Sequence, residues 1–260
     1  MQGETPEIRN TRELKSIFPD NIVCSKYKIV REIGRSGMGI VYEAVGPVGS
    51  VAVQVPNLTG INTPGVVVEY LRNERDILKR LSHPHIVKYV DECDEGQIPV
   101  LVVELIKGSG LENFEGRLDV DTALKLGVKL AEALQYLHRN NIIHRDFCIE
   151  NVMLRNNNPE DPVVIDMGTA KKGMNKALDP TTTRIIHEDC SPPELASWHP
   201  IAVEASDVYM WGTILMRVVK RRHPWRSLRD IMSATPSGPT LRGAPCDHIE
   251  CGAYANVLNK

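Results

Sequence analysis

Three short runs, Tyr27 to Ile33, Gly39 to Val45 and Ser50 to Val55, are rich in β-branched residues and separated by glycine-containing turns. That is the pattern of an antiparallel meander. Over residues 66–82 the period changes: Leu71, Ile77, Leu78 and Leu81 recur at helical spacing until Ser82-His83-Pro84 stops the run. Ile86 to Val90 and Ile98 to Leu105 return to strand character, the second so uniformly apolar that both of its faces are expected to be buried. The expectation is a five-stranded sheet with one helix.

Beyond Lys107-Gly108-Ser109-Gly110 the pattern becomes helical. Asp121 to Asn140 carries Ala123, Leu124, Leu126, Val128, Leu130, Ala131, Leu134 and Leu137, and Ala205 to Val219 forms a second strongly apolar helix. Between them Asn156 to Pro162 is a turn cluster flanked by two short strands. The reading is an α+β chain with a polar leader over 1–25, a β-rich small lobe over 27–105 and a mainly helical large lobe over 106–260.

Composition narrows the function without naming it. With 260 residues, 42% hydrophobic and 25% charged, the chain is globular rather than disordered or fibrous. A net charge of −2 lacks the basic excess that a general nucleic-acid binder needs. The start MQGETPEIRN has no signal-peptide character and no long apolar run follows, so a cytoplasmic, intracellular protein without a membrane span is expected. Cys24, Cys93, Cys148, Cys190, Cys246 and Cys251 form no C-x-x-C pair, and the expectation for a reducing compartment is free thiols. Cys246 to Cys251 brackets metal-capable side chains at a spacing that matches no common zinc module.

Gly34-Arg35-Ser36-Gly37-Met38-Gly39 lies between two strands, which excludes the dinucleotide fingerprint, since that requires a following helix. His144-Arg145-Asp146-Phe147-Cys148-Ile149-Glu150-Asn151 places an Asp and an Asn five residues apart after an apolar pair. Fifteen residues past Asn151, Asp166-Met167-Gly168 ends a β-type run, and Ser191-Pro192-Pro193-Glu194 and Ser206-Asp207 to Gly212 follow in order. This colinear set resembles the glycine-rich loop, catalytic loop, metal-binding D-F-G, A-P-E segment and central helix of the Ser/Thr protein kinase superfamily. The run Ile33 to Tyr42 is most similar to prokaryotic eukaryote-like members.

The resemblance implies a bilobal kinase-like fold that binds ATP and Mg²⁺ between its lobes. It implies that Asp146 accepts or orients the proton of the attacking hydroxyl, and that Asn151 and Asp166 hold the metal ions. Gly34, Ser36, Gly37 and Gly39 would cover the phosphates, with Ser36 standing at the second glycine position. Val41, Ala52 and Met153 would line adenine, and Glu104 to Ile106 would form the hinge that meets its edge. Glu74 would be the helix glutamate that pairs with a strand lysine, but that position holds Gln54.

Other departures surround the same centre. Cys148 stands where a second lysine is usual, and His187 and Cys190 replace a threonine and a tyrosine of the substrate-docking segment. Arg35 is one side chain able to supply the missing charge. Arg145 and Thr181 to Thr183 resemble a pair through which many kinases read phosphorylation of the activation segment. The chain stops at Tyr254 to Lys260, like the opening of an amphipathic helix, so a truncated large lobe is expected, with Glu194 lacking its arginine partner.

Two functions remain open. One is a slow Ser/Thr protein kinase acting on a protein substrate. The other is a pseudokinase that serves as a nucleotide-binding scaffold for a regulatory protein partner. A small-molecule phosphotransferase is disfavoured by the peptide-docking character of the 191–194 segment. A glutamine donates a hydrogen bond but no charge, and loss of one preorganised electrostatic donor typically lowers rates by about 10²–10³. Gln54→Lys is therefore expected to raise phosphoryl transfer, and Cys148→Lys to add to it non-additively. Phosphate incorporation is the measurement, and unchanged activity in both single variants and the double variant would show that the missing charge comes from elsewhere.

Overall fold

A computed structural model describes residues 18, 20–59, 64–172, 190–192, 195 and 202–220. Its contacts divide the chain into two units, one formed by 1–107 with 166–169, the other by 108–165 with 170–260.

The first unit is built on a six-stranded antiparallel sheet of order β1-β2-β3-β4-β6-β5. Its strands are β1 (Ile22–Val23), β2 (Tyr27–Arg35), β3 (Gly39–Gly46), β4 (Gly49–Pro56), β5 (Tyr89–Glu95) and β6 (Ile98–Glu104). Alternation along β3 and β4 sends Ile40, Tyr42, Ala44, Val51, Val53 and Val55 into one buried cluster with Phe18, Tyr27, Val100 and Val102. The opposite face carries Val41, Ala52 and Gln54, with Val41 directly across from Gln54. Strand β6 is buried from Pro99 to Val103, as its continuous apolar run foretold.

Two corrections apply to the sheet. It has six strands rather than five, because Ile22–Val23, inside the expected polar leader, pairs with Tyr27 and Lys28. The fifth strand runs over Tyr89–Glu95 rather than Ile86 to Val90. That edge strand is half polar, so pairing to β6, not its own periodicity, decides its limits.

Helix α1 (Pro64–Leu78) opens with proline at a position whose N–H needs no partner, and buries Val67, Leu71, Glu74, Ile77 and Leu78. It packs on β4, β5 and β6.

The thiol expectation is overturned for two cysteines. Cys24, in the turn after β1, and Cys93, on β5, form a disulfide across 69 residues of sequence. No local spacing announces it, since the sheet alone brings the turn and the edge strand together. Cys148 and Cys190 are free and buried, while Cys246 and Cys251 lie outside the described residues.

In the second unit, helix α2 (Val120–Arg139) is capped by Asp119, whose carboxylate accepts from the Thr122 N–H at 2.9 Å. Its buried stripe of Ala123, Leu126, Leu130, Ala133, Leu134 and Leu137 has helical period. Helix α3 (Glu204–Lys220) crosses it where Gly127 lets the Trp211 indole reach in and donate to the Gly127 carbonyl at 2.9 Å. A small sheet joins β7 (Gly108–Gly110), β9 (Val152–Arg155) and β10 (Pro162–Val164) in the order β10-β9-β7, and β8 (Ile142–Ile143) pairs with β11 (Lys171–Lys172).

Strand β7 falls in the Lys107 to Gly110 run, for which the sequence pattern gave no strand. It pairs because Gly108 has no side chain, as a Cβ there would stand 1.8 Å from the Leu154 carbonyl oxygen. Residues 173–189, Glu194 and 221–260, with Thr181 to Thr183, His187 and the C-terminal helix start, lie outside the described residues.

A disulfide closing a loop of this size removes on the order of 4 kcal/mol of unfolded-chain entropy, and typical measured values are about 2–4 kcal/mol. Cys24→Ser is expected to lower the unfolding free energy by that amount under non-reducing conditions, with Cys93→Ser equivalent and the double variant no worse. Urea melts with and without reductant check this, and a wild-type stability indifferent to reductant would contradict it.

Candidate active site

In the first unit the chemistry gathers along one face of α1. Tyr70, Asn73 and Glu74 sit at i, i+3 and i+4, so their side chains leave the helix on the same side. All three reach the 166–168 segment. The Tyr70 hydroxyl donates to the Asp166 carboxylate, 2.9 Å from each oxygen. Asn73 Nδ2 donates to the Gly168 carbonyl at 2.9 Å, and the Met167 N–H donates to Glu74 Oε1 at 3.3 Å. Gly168 must be glycine here, since a Cβ would lie 1.9 Å from the Tyr70 ring. The Gly168 N–H closes the turn onto Asp166 Oδ1 at 2.7 Å.

Gln54 completes the cluster by donating from Nε2 to Glu74 Oε2 at 3.0 Å. Glu74 therefore has a partner, but a neutral one. Burial of the fully enclosed carboxyl, and then the negative charge of Asp166, push its pKa well above the ordinary 4.5, against the pull of the Met167 and Gln54 donors.

The glycine hairpin is organised by its own serine. Ser36 Oγ accepts from the N–H groups of Met38 at 3.2 Å and Gly39 at 3.1 Å, and Asn57 Nδ2 donates to the Ser36 carbonyl at 2.8 Å. Gly34 lies near the end of β2, paired with Val41, while Ser36 and Gly37 lie at the turn and Gly39 begins β3. Arg35 is held by Glu32 through two 2.9 Å contacts, from Nε and from a terminal nitrogen. Val41 and Ala52 lie on the same sheet face as Gln54. At the end of β6, Glu104 accepts from the Lys88 N–H at 2.9 Å, and Ile106 is buried beyond it.

In the second unit one carboxylate arranges the catalytic-loop segment. Asp207, wholly buried on α3, accepts from the N–H groups of His144 at 2.9 Å and Arg145 at 2.8 Å, and its Oδ2 lies 2.8 Å from His138 Nε2. Arg145 adopts φ 72°, a left-handed conformation that a side-chain-bearing residue keeps only when its surroundings enforce it. Its guanidinium is buried, with Nε and both terminal nitrogens lacking a hydrogen-bond partner among the described residues. Burial lowers its pKa, opposed by the charge of Asp207.

The next residue, Asp146, is 5% exposed. Asn151 Nδ2 donates to both the Asp146 carbonyl and its Oδ2, each at 2.9 Å, and the Asn151 carbonyl accepts from the Ile165 N–H at 3.0 Å. Met153 follows on β9 and is half-buried. Cys148 and Cys190 are buried against each other. That thiol–thiol hydrogen bond raises the Cys148 pKa, with burial and the Asp146 charge adding to it.

The sequence reading missed Tyr70, Asn73, Asn57 and the role of Asp207. The i, i+3, i+4 spacing of Tyr70, Asn73 and Glu74 was the available signal for the first two. The Asp166 carboxylate in the first unit and the Asn151 carboxamide oxygen in the second are each of the type that hard divalent cations take.

A sheet unit with a glycine hairpin and a buried helix glutamate, and a helical unit that pins an Asp–Asn loop, are the components of an α+β fold of the protein-kinase class. Over residues 27–236 the chain matches the family described as protein kinase domain, and it belongs to that family. It is 31% identical to Serine/threonine-protein kinase PkaA of Streptomyces coelicolor over 241 residues, covering 84% of this chain and 44% of that protein. It is also 31% identical to Receptor-like serine/threonine-protein kinase ALE2 of Arabidopsis thaliana, covering 76% of this chain and 27% of that one. A calcium/calmodulin-dependent protein kinase of Metarhizium anisopliae matches at 31%, with 83% and 56% covered. The chain thus spans about a quarter to just over half the length of these curated relatives. Among the described residues no helix is long and apolar enough to cross a membrane.

Because the Glu74 carboxyl binds its proton more tightly folded than unfolded, the protonated form stabilises the fold at low pH. That contribution is lost as pH rises above 4.5 toward the raised folded value. Glu74→Gln, neutral at every pH, is expected to gain on wild type as pH increases, by at most about 1.4 kcal/mol per pH unit. Urea melts from pH 5 to pH 8 test this, and a pH-independent difference would refute it.

Proposed function

We propose that this chain is a Ser/Thr-type protein kinase domain that binds Mg²⁺-ATP and transfers the γ-phosphoryl group to a protein hydroxyl. In this reading the small lobe runs over 27–105 and the large lobe over 106–260. The observation that carries it is the Asp146–Asn151 pair. One carboxamide fixes the Asp146 carboxylate through Nδ2 and keeps its own oxygen as a donor suited to a hard cation.

Asp146 then takes or orients the hydroxyl proton, and Asn151 and Asp166 hold the metal. Val41, Ala52 and Met153 enclose the adenine, with the backbone of Glu104 to Ile106 meeting its edge. The bound Mg²⁺ supplies charge neutralisation at the phosphates. Gln54 anchors Glu74 without adding positive charge, so transfer is slow. The buried Arg145 guanidinium, which has no hydrogen-bond partner among the described residues, supports a further role as receptor for a phosphorylated activation segment at Thr181 to Thr183. The proposed use of ATP fits a cytoplasmic location, and the Cys24–Cys93 disulfide argues against one, since such bonds are rare in a reducing compartment.

A second reading, a pseudokinase acting on a regulatory partner, is favoured by Cys148. At the position of the second lysine its side chain is wholly buried against Cys190 and carries no positive charge.

In both readings millimolar Mg²⁺-ATP is expected to raise the melting temperature by mass action, and folded protein that shows no shift would exclude nucleotide use. Asp146→Asn separates the readings. It is expected to keep the thermal shift while lowering phosphate incorporation into protein substrates by about 10²–10⁴. Wild-type protein that binds Mg²⁺-ATP but transfers nothing would instead establish the pseudokinase.

A further inference from the structure

Two departures from the kinase pattern meet in space. Cys148, in the catalytic loop, and Cys190, forty-two residues later, are 0% and 1% exposed, and Asp146 beside them is 5% exposed. Their two sulfurs and a carboxylate oxygen all lie within 4.8 Å of one another. A tetrahedral zinc ion, with bonds of about 2.3 Å to sulfur and about 2.0–2.2 Å to oxygen, spaces neighbouring ligand atoms roughly 3.5–3.8 Å apart. Side-chain adjustments of about 1 Å would therefore close this triad around an ion.

We propose that Asp146, Cys148 and Cys190 form a binding site for a borderline-soft divalent cation of the zinc type, with the fourth position held by water.

The donor set separates this site from the one that would serve ATP. Thiolates select zinc-like ions and reject Mg²⁺, whereas the oxygens of Asn151 and Asp166 suit Mg²⁺. On binding, two S–H bonds break, two metal–sulfur bonds form and two protons leave to solvent, with no change in oxidation state. The ion's two positive charges offset the negative charge that two thiolates and a carboxylate would otherwise concentrate in a buried place. Asn151 Nδ2, already on Asp146 Oδ2, is the outer hydrogen bond that orients the carboxylate. Occupancy engages the Asp146 carboxylate, so zinc inhibits phosphoryl transfer; that consequence alone rests on the function proposed above.

The test uses the full chain, stripped of metal with a chelator and handled anaerobically, and its readouts do not depend on activity. Titration with Co²⁺ is expected to produce a sulfur-to-cobalt charge-transfer band that saturates at one ion per chain and is displaced by Zn²⁺. The Cys246→Ser/Cys251→Ser double variant retains the band, whereas Cys148→Ser and Cys190→Ser each weaken binding at least tenfold. Zinc-edge X-ray absorption on the zinc-loaded Cys246→Ser/Cys251→Ser protein, which leaves the site itself unaltered, should show two sulfur neighbours at about 2.3 Å. A missing band, a band indifferent to both Cys148→Ser and Cys190→Ser, an oxygen- and nitrogen-only shell, or a Cys148–Cys190 disulfide in place of the two thiols would each overturn the proposal.

Discussion

The Asp207 carboxylate is the constraint on which the large unit's chemistry depends. A charged group with no exposure is destabilising unless it is met by donors, and Asp207 is met by two consecutive backbone N–H groups and stands 2.8 Å from the His138 ring. Taking both N–H groups of the 144–145 peptide pair leaves the backbone one course, through the left-handed conformation of Arg145. That turn delivers Asp146 into the reach of Asn151. The interaction is long-range, joining α3 to the loop after β8, so the loop acquires its shape only when the helical core has assembled.

The sheet unit meets a different electrostatic problem. It encloses Glu74 near the negative Asp166 and provides only neutral donors, Gln54 and the Met167 N–H, where a kinase would place a lysine. The cluster accommodates the missing cation by favouring the protonated glutamic acid and by placing the Tyr70 hydroxyl on Asp166. The α1 face is thus joined to the 166–168 turn by hydrogen bonds rather than by an ion pair.

Residues whose role is set by backbone periodicity or local spacing were legible from the chain. The alternation of β3 and β4 put Val41, Ala52 and Gln54 on one face, and the five-residue step from Asp146 to Asn151 is short enough for one carboxamide to span. Tyr70, one helical turn before Glu74, and Asn73, one turn after Tyr70, were legible in principle, yet nothing local says that a turn ninety-odd residues away will lie beneath them. The limits of the edge strand β5 and the whole of the glycine strand β7 escaped because the side chains there carry little strand signal. Pairing partners impose both.

What the sequence by itself determined is the order of elements, the α+β class and the identity of the kinase-type motifs, since these follow from periodicity, turn chemistry and fixed spacing along one chain. Tertiary structure decided which distant residues become neighbours. Cys24 and Cys93, separated by 69 positions, become a covalent pair because two sheet edges approach each other. Cys148 and Cys190 become a buried pair beside Asp146 because Cys190, forty-two positions further along the chain, packs against the catalytic loop. Each cysteine reads alone as an unremarkable thiol. Its chemistry depends on the partner, the burial and the nearby charge, none of which is encoded at any single position of the chain.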